Sequence, residues 1–188
     1  PVKFTSAETS LNPGTWRYIH LTSTAINSSF HNTIFEYGGK SQGYDSDALL
    51  RLDSSSPDII NCQFNHSGSQ GISTAGSSTP YTFNNTFFNN NYNGVYCKDL
   101  SSNPDFSYNN FISNLGSGCL NNNNTYQLNA SYSFWGSEDG PSGIGPGTGD
   151  EATGNVNITP WVNKPVVASV DYISNTDSVK YTESQAKL

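Results

Sequence analysis

The sequence is poor in charge, poor in basic residues and free of long apolar runs. Charged residues make up 12% of the chain, against about 25% in an ordinary globular protein. Only 8 residues are Lys or Arg, against 15 Asp or Glu, and no basic run is present, so nucleic acid is not expected as a partner. No apolar stretch approaches the roughly 18 residues that span a membrane as a helix, so we do not expect membrane insertion.

Long helices are also not expected. The chain has no methionine and is rich in Asn, Ser, Thr and Gly, and the Asn, Ser and Thr side chains compete for the backbone hydrogen bonds of a helix. Aromatic residues reach 13% of the chain, whereas disordered chains are poor in them. The composition therefore predicts a folded all-β protein with a polar surface.

Cysteine is scarce as well. Cys62, Cys97 and Cys119 are an odd number and lack the spacing of metal ligands. We interpret them as small buried apolar residues, with a disulfide between two of them as the alternative.

Three copies of one motif run through the middle of the chain. They are "SSSPDIINCQFNHSGSQGISTAG" from Ser54, "SSTPYTFNNTFFNNNYNGVYCKDL" from Ser77 and "SSNPDFSYNNFISNLGSGCLNNNN" from Ser101, so the period is 23 and then 24 residues. A fixed period of about 20 to 50 residues indicates a solenoid. Four sets of residues align between copies: Pro57, Pro80 and Pro104; Phe64, Phe87 and Phe111; Gly71, Gly94 and Gly118; Ile72, Val95 and Cys119.

Each copy holds short β-favouring runs and no amphipathic helix, which predicts a parallel β-helix whose coils stack about 4.8 Å apart. The aligned phenylalanines should then form one continuous inner column. Asn85 and Asn109 share a position with Cys62, and stacked asparagines can satisfy turn amides that would each cost about 1–3 kcal/mol if left unpaired. We expect this asparagine ladder at the turns and on the coil surface.

The pattern extends upstream. Residues 26–39 place Phe30 over Ile60, Asn32 over Cys62 and Ile34 over Phe64, followed by an insertion at 38–47. Residues 1–21 add two strands around an Asn-Pro-Gly turn.

The pattern also extends downstream. Residues 125–136 make a further, shorter coil, which gives about six coils in all. Residues 136–154 are too rich in glycine and proline for regular structure, and 155–162 predict one strand that folds back. We name residues 136–163 the cap, because they should cover the open end of the solenoid. The β-helix with its cap is thus expected over 1–163, and 164–188 as a linker or the start of a following domain.

The two ends of this region carry a family resemblance. The run "FTS…NPGTWRYIHL…S…IFEYGG" resembles the first coils of secreted, pectate-lyase-like right-handed parallel β-helix proteins. The run from Ser133 to Gly136, with Gly140-Pro141, Gly149-Asp150 and Pro160-Trp161, resembles the "NYWG…GP…GD…PW" module that closes such solenoids. The resemblance implies an extracellular or cell-surface location. It leaves function open, because the architecture hosts polysaccharide lyases, glycosidases, tailspikes, adhesins and surface repeats.

Catalytic candidates are weak. Lyases of this architecture use acidic ligands for Ca²⁺ and a Lys or Arg base, and the chain offers Arg51 and Asp53 near Lys98 and Asp99 on one face. Surface charge with weak ion pairs is the alternative interpretation. A second carboxylate pair, Asp58 and Asp105, aligns two coils apart with Tyr81 between them, but each Asp follows a repeat proline and suits a turn. The histidines His20, His31 and His66 belong to no nucleophile motif, and we expect them at the surface or in turns, with His31 aligned with Asn61.

Calcium is the expected cofactor, if the chain has one. Two places are candidates: Asp45 and Asp47 lie two apart in the insertion, and Asp139 and Asp150 offer oxygen ligands in the cap. Ca²⁺ takes such ligands, and either place could bind it. For sugars, exposed Tyr44, Tyr92 and Tyr108 are the candidate contacts, because tyrosine has an apolar face and a polar end. Asn-x-Ser/Thr sequons, the acceptors of N-linked glycans, occur at Asn27, Asn65, Asn84, Asn123, Asn129 and Asn157.

Three functional hypotheses follow. The first is a non-catalytic extracellular or cell-surface module, a spacer or adhesion domain of a larger protein that contacts polysaccharide or other surface proteins. The second is a polysaccharide lyase or glycoside hydrolase. The third is a subunit of a filament or surface layer that self-associates through its solenoid ends.

Overall fold

The computed structural model describes residues 1–44, 47–90, 92–101, 103–123 and 125–167, and these residues form strands and turns without a helix. None of them therefore lies in a helix that could cross a membrane. The strands are β1 (Val2–Phe4), β2 (Ile19–Leu21), β3 (Ser29–His31), β4 (Thr33–Glu36), β5 (Ala48–Asp53), β6 (Asp58–Ile60), β7 (Gln63–Asn65), β8 (Gln70–Gly76), β9 (Tyr81–Phe83), β10 (Thr86–Phe88), β11 (Val95–Leu100), β12 (Asn110–Ile112), β13 (Ser117–Asn121), β14 (Leu128–Asn129), β15 (Pro141–Gly143), β16 (Gly149–Gly154) and β17 (Val156–Asn157).

All strand pairs are parallel, and the chain returns to each sheet once per coil, as a parallel β-helix requires. One sheet has the order β1-β4-β7-β10-β12, the second β15-β16-β13-β11-β8-β5-β2, and the third β3-β6-β9, continued by the pair β14-β17. The predicted all-β solenoid is confirmed.

The predicted aromatic column is also confirmed and is longer than expected. Phe64, Phe87 and Phe111 are fully buried in register on β7, β10 and β12. The column has six rings, consistent with about six coils, and the centroid distances are 5.3 Å for Phe4–Phe35, 4.8 Å for Phe35–Phe64, 5.2 Å for Phe64–Phe87, 5.2 Å for Phe87–Phe111 and 4.7 Å for Phe111–Trp135.

The predicted register of the upstream coil is wrong by one residue. Phe35, not Ile34, lies over Phe64. Phe30 lies over Ile59 and His31 over Ile60, so the expected pairs of Phe30 with Ile60, of Asn32 with Cys62 and of His31 with Asn61 do not form. The turn residues set this register, because Asn32 (φ 51°) and Asn61 (φ 54°) both take the left-handed conformation that asparagine tolerates.

The asparagine ladder exists, but it lies inside the solenoid and not on its surface. Asn85 and Asn109 are fully buried. The backbone N–H of Cys62 donates to Asn85 Oδ1 (2.8 Å), that of Asn85 donates to Asn109 Oδ1 (2.9 Å), and that of Asn109 donates to Ser133 Oγ (3.1 Å). Each side chain thus caps the turn of the preceding coil, where water cannot reach.

A second ladder follows the next corner and ends in a carboxylate. The N–H of Ser67 donates to Asn90 Oδ1 (3.1 Å), and Asn90 Nδ2 donates to Asn114 Oδ1 (2.8 Å). Asn114 then donates to Asp150 Oδ2 from both its backbone N (3.1 Å) and its Nδ2 (2.7 Å). Asp150 therefore joins the cap to the repeats.

Residues 136–154 of the cap were expected to lack regular structure, and this expectation is wrong. Strands β15 and β16 form there and extend the seven-stranded sheet, because β13 supplies β16 with a paired edge. Glycine is needed for the close approach: a Cβ on Gly149 would lie 2.2 Å from the carbonyl oxygen of Trp135. The expected strand at 155–162 is only β17, although Val156 and Ile158 are buried.

The two ends of the solenoid differ. At the cap end Trp135 is fully buried, whereas at the other end Phe4 is 37% exposed and no described strand pairs with the outer edge of β1. Cys62, Cys97 and Cys119 are buried and free, so the interpretation as apolar core is confirmed. Val166 exchanges two hydrogen bonds with the Asn110 side chain; residues 168–188 of the proposed linker lie outside the described residues.

Candidate functional site

Charged and aromatic side chains converge on the outer face of β2 and β5. Strand β2 stacks on β5 with His20 directly beside Arg51, and Asp53 follows two residues later on the same face as Arg51. Arg17 and Tyr18 precede β2. We name these five residues the Tyr18 cluster; it contains both arginines of the chain.

One oxygen of Asp53 holds the cluster together. Asp53 Oδ2 lies 2.7 Å from His20 Nε2, accepts a hydrogen bond from Arg51 Nε (3.0 Å) and lies 2.8 Å from Arg51 Nη2 in the same ion pair. Partial burial raises the pKa of Asp53, but the hydrogen bonds and charges of Arg51 and His20 outweigh burial, so the pKa lies below its usual value. Asp53 is therefore ionised at neutral pH and is not suited to act as a general acid.

Both guanidinium groups approach the Tyr18 ring. The Cζ atom of Arg17 lies 4.7 Å from the ring centroid and that of Arg51 6.0 Å, while the His20 ring meets Tyr18 edge-on at 5.9 Å. Such cation–π contacts hold a guanidinium in place. Arg17 is exposed, and none of the ion pairs among the described residues involves it, so its donors are open to an anionic ligand.

Lys98 and Asp99 do not join this cluster. Arg51 is in register with Ser73 and, one coil further, Tyr96. Lys98 and Asp99 lie two coils away from Asp53, roughly 10 Å by strand spacing, where the register of β11 shifts. Both side chains are exposed and take part in none of the ion pairs of the described residues.

The acidic residues proposed for calcium lie partly outside the described residues. In the described part of the chain no three His, Cys, Asp or Glu side chains lie close enough to hold a metal together, and Asp45 lies outside it. Asp47 is buried; its Oδ2 accepts hydrogen bonds from the backbone N–H of Gln42 (2.5 Å) and Tyr44 (3.3 Å), and its Oδ1 has no partner. Calcium binding stays a prediction.

The cap carboxylates each bind turn amides. Asp139 Oδ1 accepts the N–H of Thr148 (2.9 Å) and its hydroxyl (3.1 Å), and hydrogen bonds, first that of Ser137, lower the pKa of Asp139. Burial raises the pKa of Asp150, and the bonds from Asn114 offset this in part. Both carboxylates thus have structural partners in the cap.

The three candidate tyrosines differ in what they expose. Tyr44 is 64% and Tyr92 54% exposed, as a sugar contact requires. Tyr108 is half-buried in a stack: its ring is parallel to Tyr132 at 5.0 Å and lies 6.1 Å from Phe83. Because neighbours on both sides approach the Tyr108 ring, this residue offers a sugar little of its apolar face.

The alignment of Asp58, Tyr81 and Asp105 is confirmed. Tyr81 is in register with Asp58 on one side and forms a bridge to Asp105 on the other. All three are exposed. Asp105 Oδ1 accepts the backbone N–H of Ser107 (2.9 Å), which is the turn role expected from its place after a repeat proline.

Sequence reasoning missed His20 as a partner of Asp53. The signal was present, since "RYIHL" and "LLRLD" are the corresponding strands of successive coils. The insertion at 38–47 separates them and hides their common register, so only the strand pairing shows that His20 and Arg51 are neighbours.

Comparison with known proteins gives the family. The model for the right-handed β-helix region matches residues 18–133, which span β2 to the start of the last coil and include most of the Tyr18 cluster. No curated protein and no solved structure gives a match. The match covers more than half of the chain and agrees with the all-parallel sheets, so the protein belongs to the right-handed parallel β-helix family.

Proposed function

We propose that this chain is a rigid, non-catalytic β-helix module of an extracellular or cell-surface protein, and that the Tyr18 cluster binds acidic polysaccharide. The observation that carries the proposal is that the two arginines differ in their partners. Arg51 is neutralised by Asp53, whereas Arg17 is fixed on Tyr18 with its donors directed at no carboxylate of the described residues.

The chemistry of this arrangement fits a uronate. A guanidinium binds a carboxylate through paired hydrogen bonds, and an aromatic ring can pack against the apolar face of a sugar. The chain as a whole has a formal charge of −7, so an acidic polymer is repelled elsewhere and attracted only where the arginines concentrate.

The same geometry argues against catalysis at the Tyr18 cluster. A lyase needs a basic residue able to take a proton. Arg51 and His20 both contact Asp53. Arg17, which lies over the Tyr18 ring, keeps its proton because a guanidinium is not deprotonated in proteins. A glycosidase needs two carboxyl groups about 5–9.5 Å apart, and Asp53 is the only carboxylate of the cluster.

Binding to polygalacturonate, measured by isothermal titration calorimetry, tests the proposal. Arg17→Gln should weaken binding about tenfold or more, since a hydrogen bond to a charged group contributes about 1.5–3 kcal/mol. Lys98→Gln removes an equal charge on β11, three coils away from β2, and should leave affinity unchanged. Fully methyl-esterified polymer, which has lost its charge, should not bind. Equal binding of the esterified polymer would refute the recognition of uronate.

Enzymatic activity is the competing hypothesis and has its own assay. The length of the polymer, followed by size-exclusion chromatography with and without Ca²⁺, should not change on incubation with the protein. Depolymerisation that Arg51→Gln abolishes would instead establish a polysaccharide-degrading enzyme, and dependence on Ca²⁺ would support the calcium prediction.

Self-association is a second proposal, supported by the β1 end of the described solenoid. Phe4 is partly exposed there and no described strand pairs with the outer edge of β1; such an edge is a template for strand pairing. The cap covers the other end, so association should give dimers rather than filaments. Sedimentation velocity should show a concentration-dependent dimer that Phe4→Lys abolishes; long polymers, or a monomer at all concentrations, would contradict this.

A further inference from the structure

The six sequons differ in whether the folded chain leaves the side-chain amide nitrogen of the asparagine accessible. In four of them the side-chain amide nitrogen, which would carry a glycan, already donates a hydrogen bond. The acceptors are Gln63 Oε1 for Asn65 (3.3 Å), Asn61 Oδ1 for Asn84 (2.8 Å), Asp105 Oδ1 for Asn129 (3.1 Å) and Asn129 Oδ1 for Asn157 (3.1 Å).

The hydroxyl residues of two of these sequons are also inaccessible. Ser67, which completes the Asn65 sequon, and Ser131, which completes that of Asn129, are both buried. Asn129 and Asn157 lie in register on β14 and β17 and bond to each other, so a glycan on either would break a contact between coils. Modification at these places conflicts with the fold.

Asn27 is different. It is exposed, and none of the hydrogen bonds found among the described residues uses its side chain. Its φ of 58° is left-handed, as is the φ of 51° at Asn84. It lies in the turn at 22–28 between β2 and β3, which has seven residues, against four in the corresponding turns at 54–57 and 77–80. The extra residues lift Asn27 away from the stacked coils.

The hydroxyl residue of this sequon is open as well. Ser29 is exposed and begins β3, and among the strands of the described residues β3 pairs with β6 alone, at the edge of its sheet. A transferase that must hold the sequon backbone can therefore reach it without opening a sheet, which is not so for Asn84 on the paired coils.

A glycan at this position would also affect the neighbouring side chain. Ile26 is 77% exposed. The first sugar of a glycan on Asn27 would cover Ile26 and would stand beside the open edge of β3, where it hinders pairing with another strand.

We propose that Asn27 is an N-glycosylation site and that it is the preferred acceptor of the folded chain. Asn27 Nδ2 forms a bond to C1 of the first sugar of a polyprenyl-diphosphate-linked oligosaccharide. The bond between C1 and the phosphate oxygen breaks, and polyprenyl diphosphate leaves together with the amide proton. The inference is independent of polysaccharide binding at the Tyr18 cluster.

Transfer in vitro to the folded protein tests this site. The purified 188-residue chain is incubated with a single-subunit oligosaccharyltransferase and its lipid-linked donor, and each sequon is quantified by glycopeptide mass spectrometry. We expect the glycan on Asn27, with Asn65, Asn84, Asn129 and Asn157 unmodified. An unmodified Asn27, or greater occupancy of any other sequon including Asn123, overturns the proposal.

Substitutions at the hydroxyl position provide matched controls that leave every asparagine in place. Ser29→Ala should abolish the modification and Ser29→Thr should retain it, while Thr159→Ala, which removes the Asn157 sequon, should change nothing. Persistence of the Asn27 glycan in Ser29→Ala would show that the sequon is not what the transferase recognises.

Discussion

At the scale of single residues, buried asparagine is the feature that distinguishes this solenoid. Asn109 uses all of its hydrogen-bonding capacity: Nδ2 donates to Thr82 Oγ1 (2.9 Å), Phe106 O (2.9 Å) and Ser107 O (2.8 Å), and Oδ1 accepts from the backbone and side chain of Asn85. A polar side chain so fully satisfied costs little to bury, whereas its removal leaves its partners unpaired.

Replacement of this residue should therefore be costly. Asn109→Ala is expected to lower the free energy of unfolding by about 3 kcal/mol or more, since each buried group left unpaired costs about 1–3 kcal/mol. Urea denaturation measures the difference. Asn65→Ala, at a half-buried residue whose Nδ2 donates one long bond, should cost less than about 1 kcal/mol; similar losses at both sites would contradict the structural role of the ladder.

Asp150 is the last residue of the second ladder. It carries a carboxylate at a position where the side-chain amide of an asparagine could make the same contacts. An asparagine at this position could accept the same two bonds from Asn114, and its own Nδ2 could donate to Phe111 O, as Asn90 does to Phe64 O and Asn114 to Phe87 O. Asp150→Asn should thus be at least as stable as the natural protein at neutral pH, with a gain of up to about 1 kcal/mol.

The pH dependence of this substitution follows from the raised pKa of Asp150. A group whose pKa is higher in the folded state binds its proton more tightly there, so its contribution to stability is complete below the unfolded pKa of about 3.9 and is lost as pH rises through the folded pKa. We subtract the free energy of unfolding of Asp150→Asn from that of the natural protein, measured from pH 3 upward. This difference should decrease as pH rises from the unfolded pKa through the folded pKa of Asp150. Asp58→Asn, at an exposed carboxylate, serves as control; a difference that rises with pH would contradict the assignment.

At the scale of elements, the aromatic column was predictable because it depends on one spacing. The aligned phenylalanines recur every 23 or 24 residues, and no other register buries all of them. Phe35 was misplaced because Ile34 beside it is also apolar, and the insertion at 38–47 removes the period that would have decided between them. Only the paired turn residues Asn32 and Asn61 fix the register.

The Tyr18 cluster could not be predicted in the same way. Its members are 36 residues apart at most in sequence, from Arg17 to Asp53, but no motif connects them; they meet because β2 and β5 pair across the insertion. The cap was misjudged for a related reason, since β16 owes its structure to the paired edge of β13 and not to its own glycine-rich sequence.

The column itself gives a prediction for one element. Phe87→Ala removes a fully buried ring between two stacked neighbours and should lower the free energy of unfolding by about 3–5 kcal/mol. Phe88→Ala, on the same strand but half-buried and in contact with the edge of His66, should cost about 1 kcal/mol. If denaturant titrations gave equal losses of unfolding free energy for the two variants, Phe87 would not be the residue of β10 that points into the core.

At the scale of the whole molecule, each coil contacts mainly the coils before and after it, so stability is close to a sum of coil and interface contributions. The cap covers one end: the cap residue Trp161 packs against the core, and a Cβ on Gly140 would lie 2.6 Å from its ring. The other end leaves Phe4 partly exposed. The two ends should therefore differ in how readily they open.

Amide hydrogen exchange followed by mass spectrometry should show this gradient. We expect the fastest exchange in β1 and β2, the slowest in the central strands β6 to β12, and intermediate exchange in β13 and in β16 of the cap, because local opening costs least where fewest neighbours hold a strand. Trp161→Ala should accelerate exchange in β13 and β16 and leave β1 to β5 unchanged, since coupling passes only between adjacent coils. Uniform acceleration along the whole chain would show instead that the solenoid opens as a single cooperative unit.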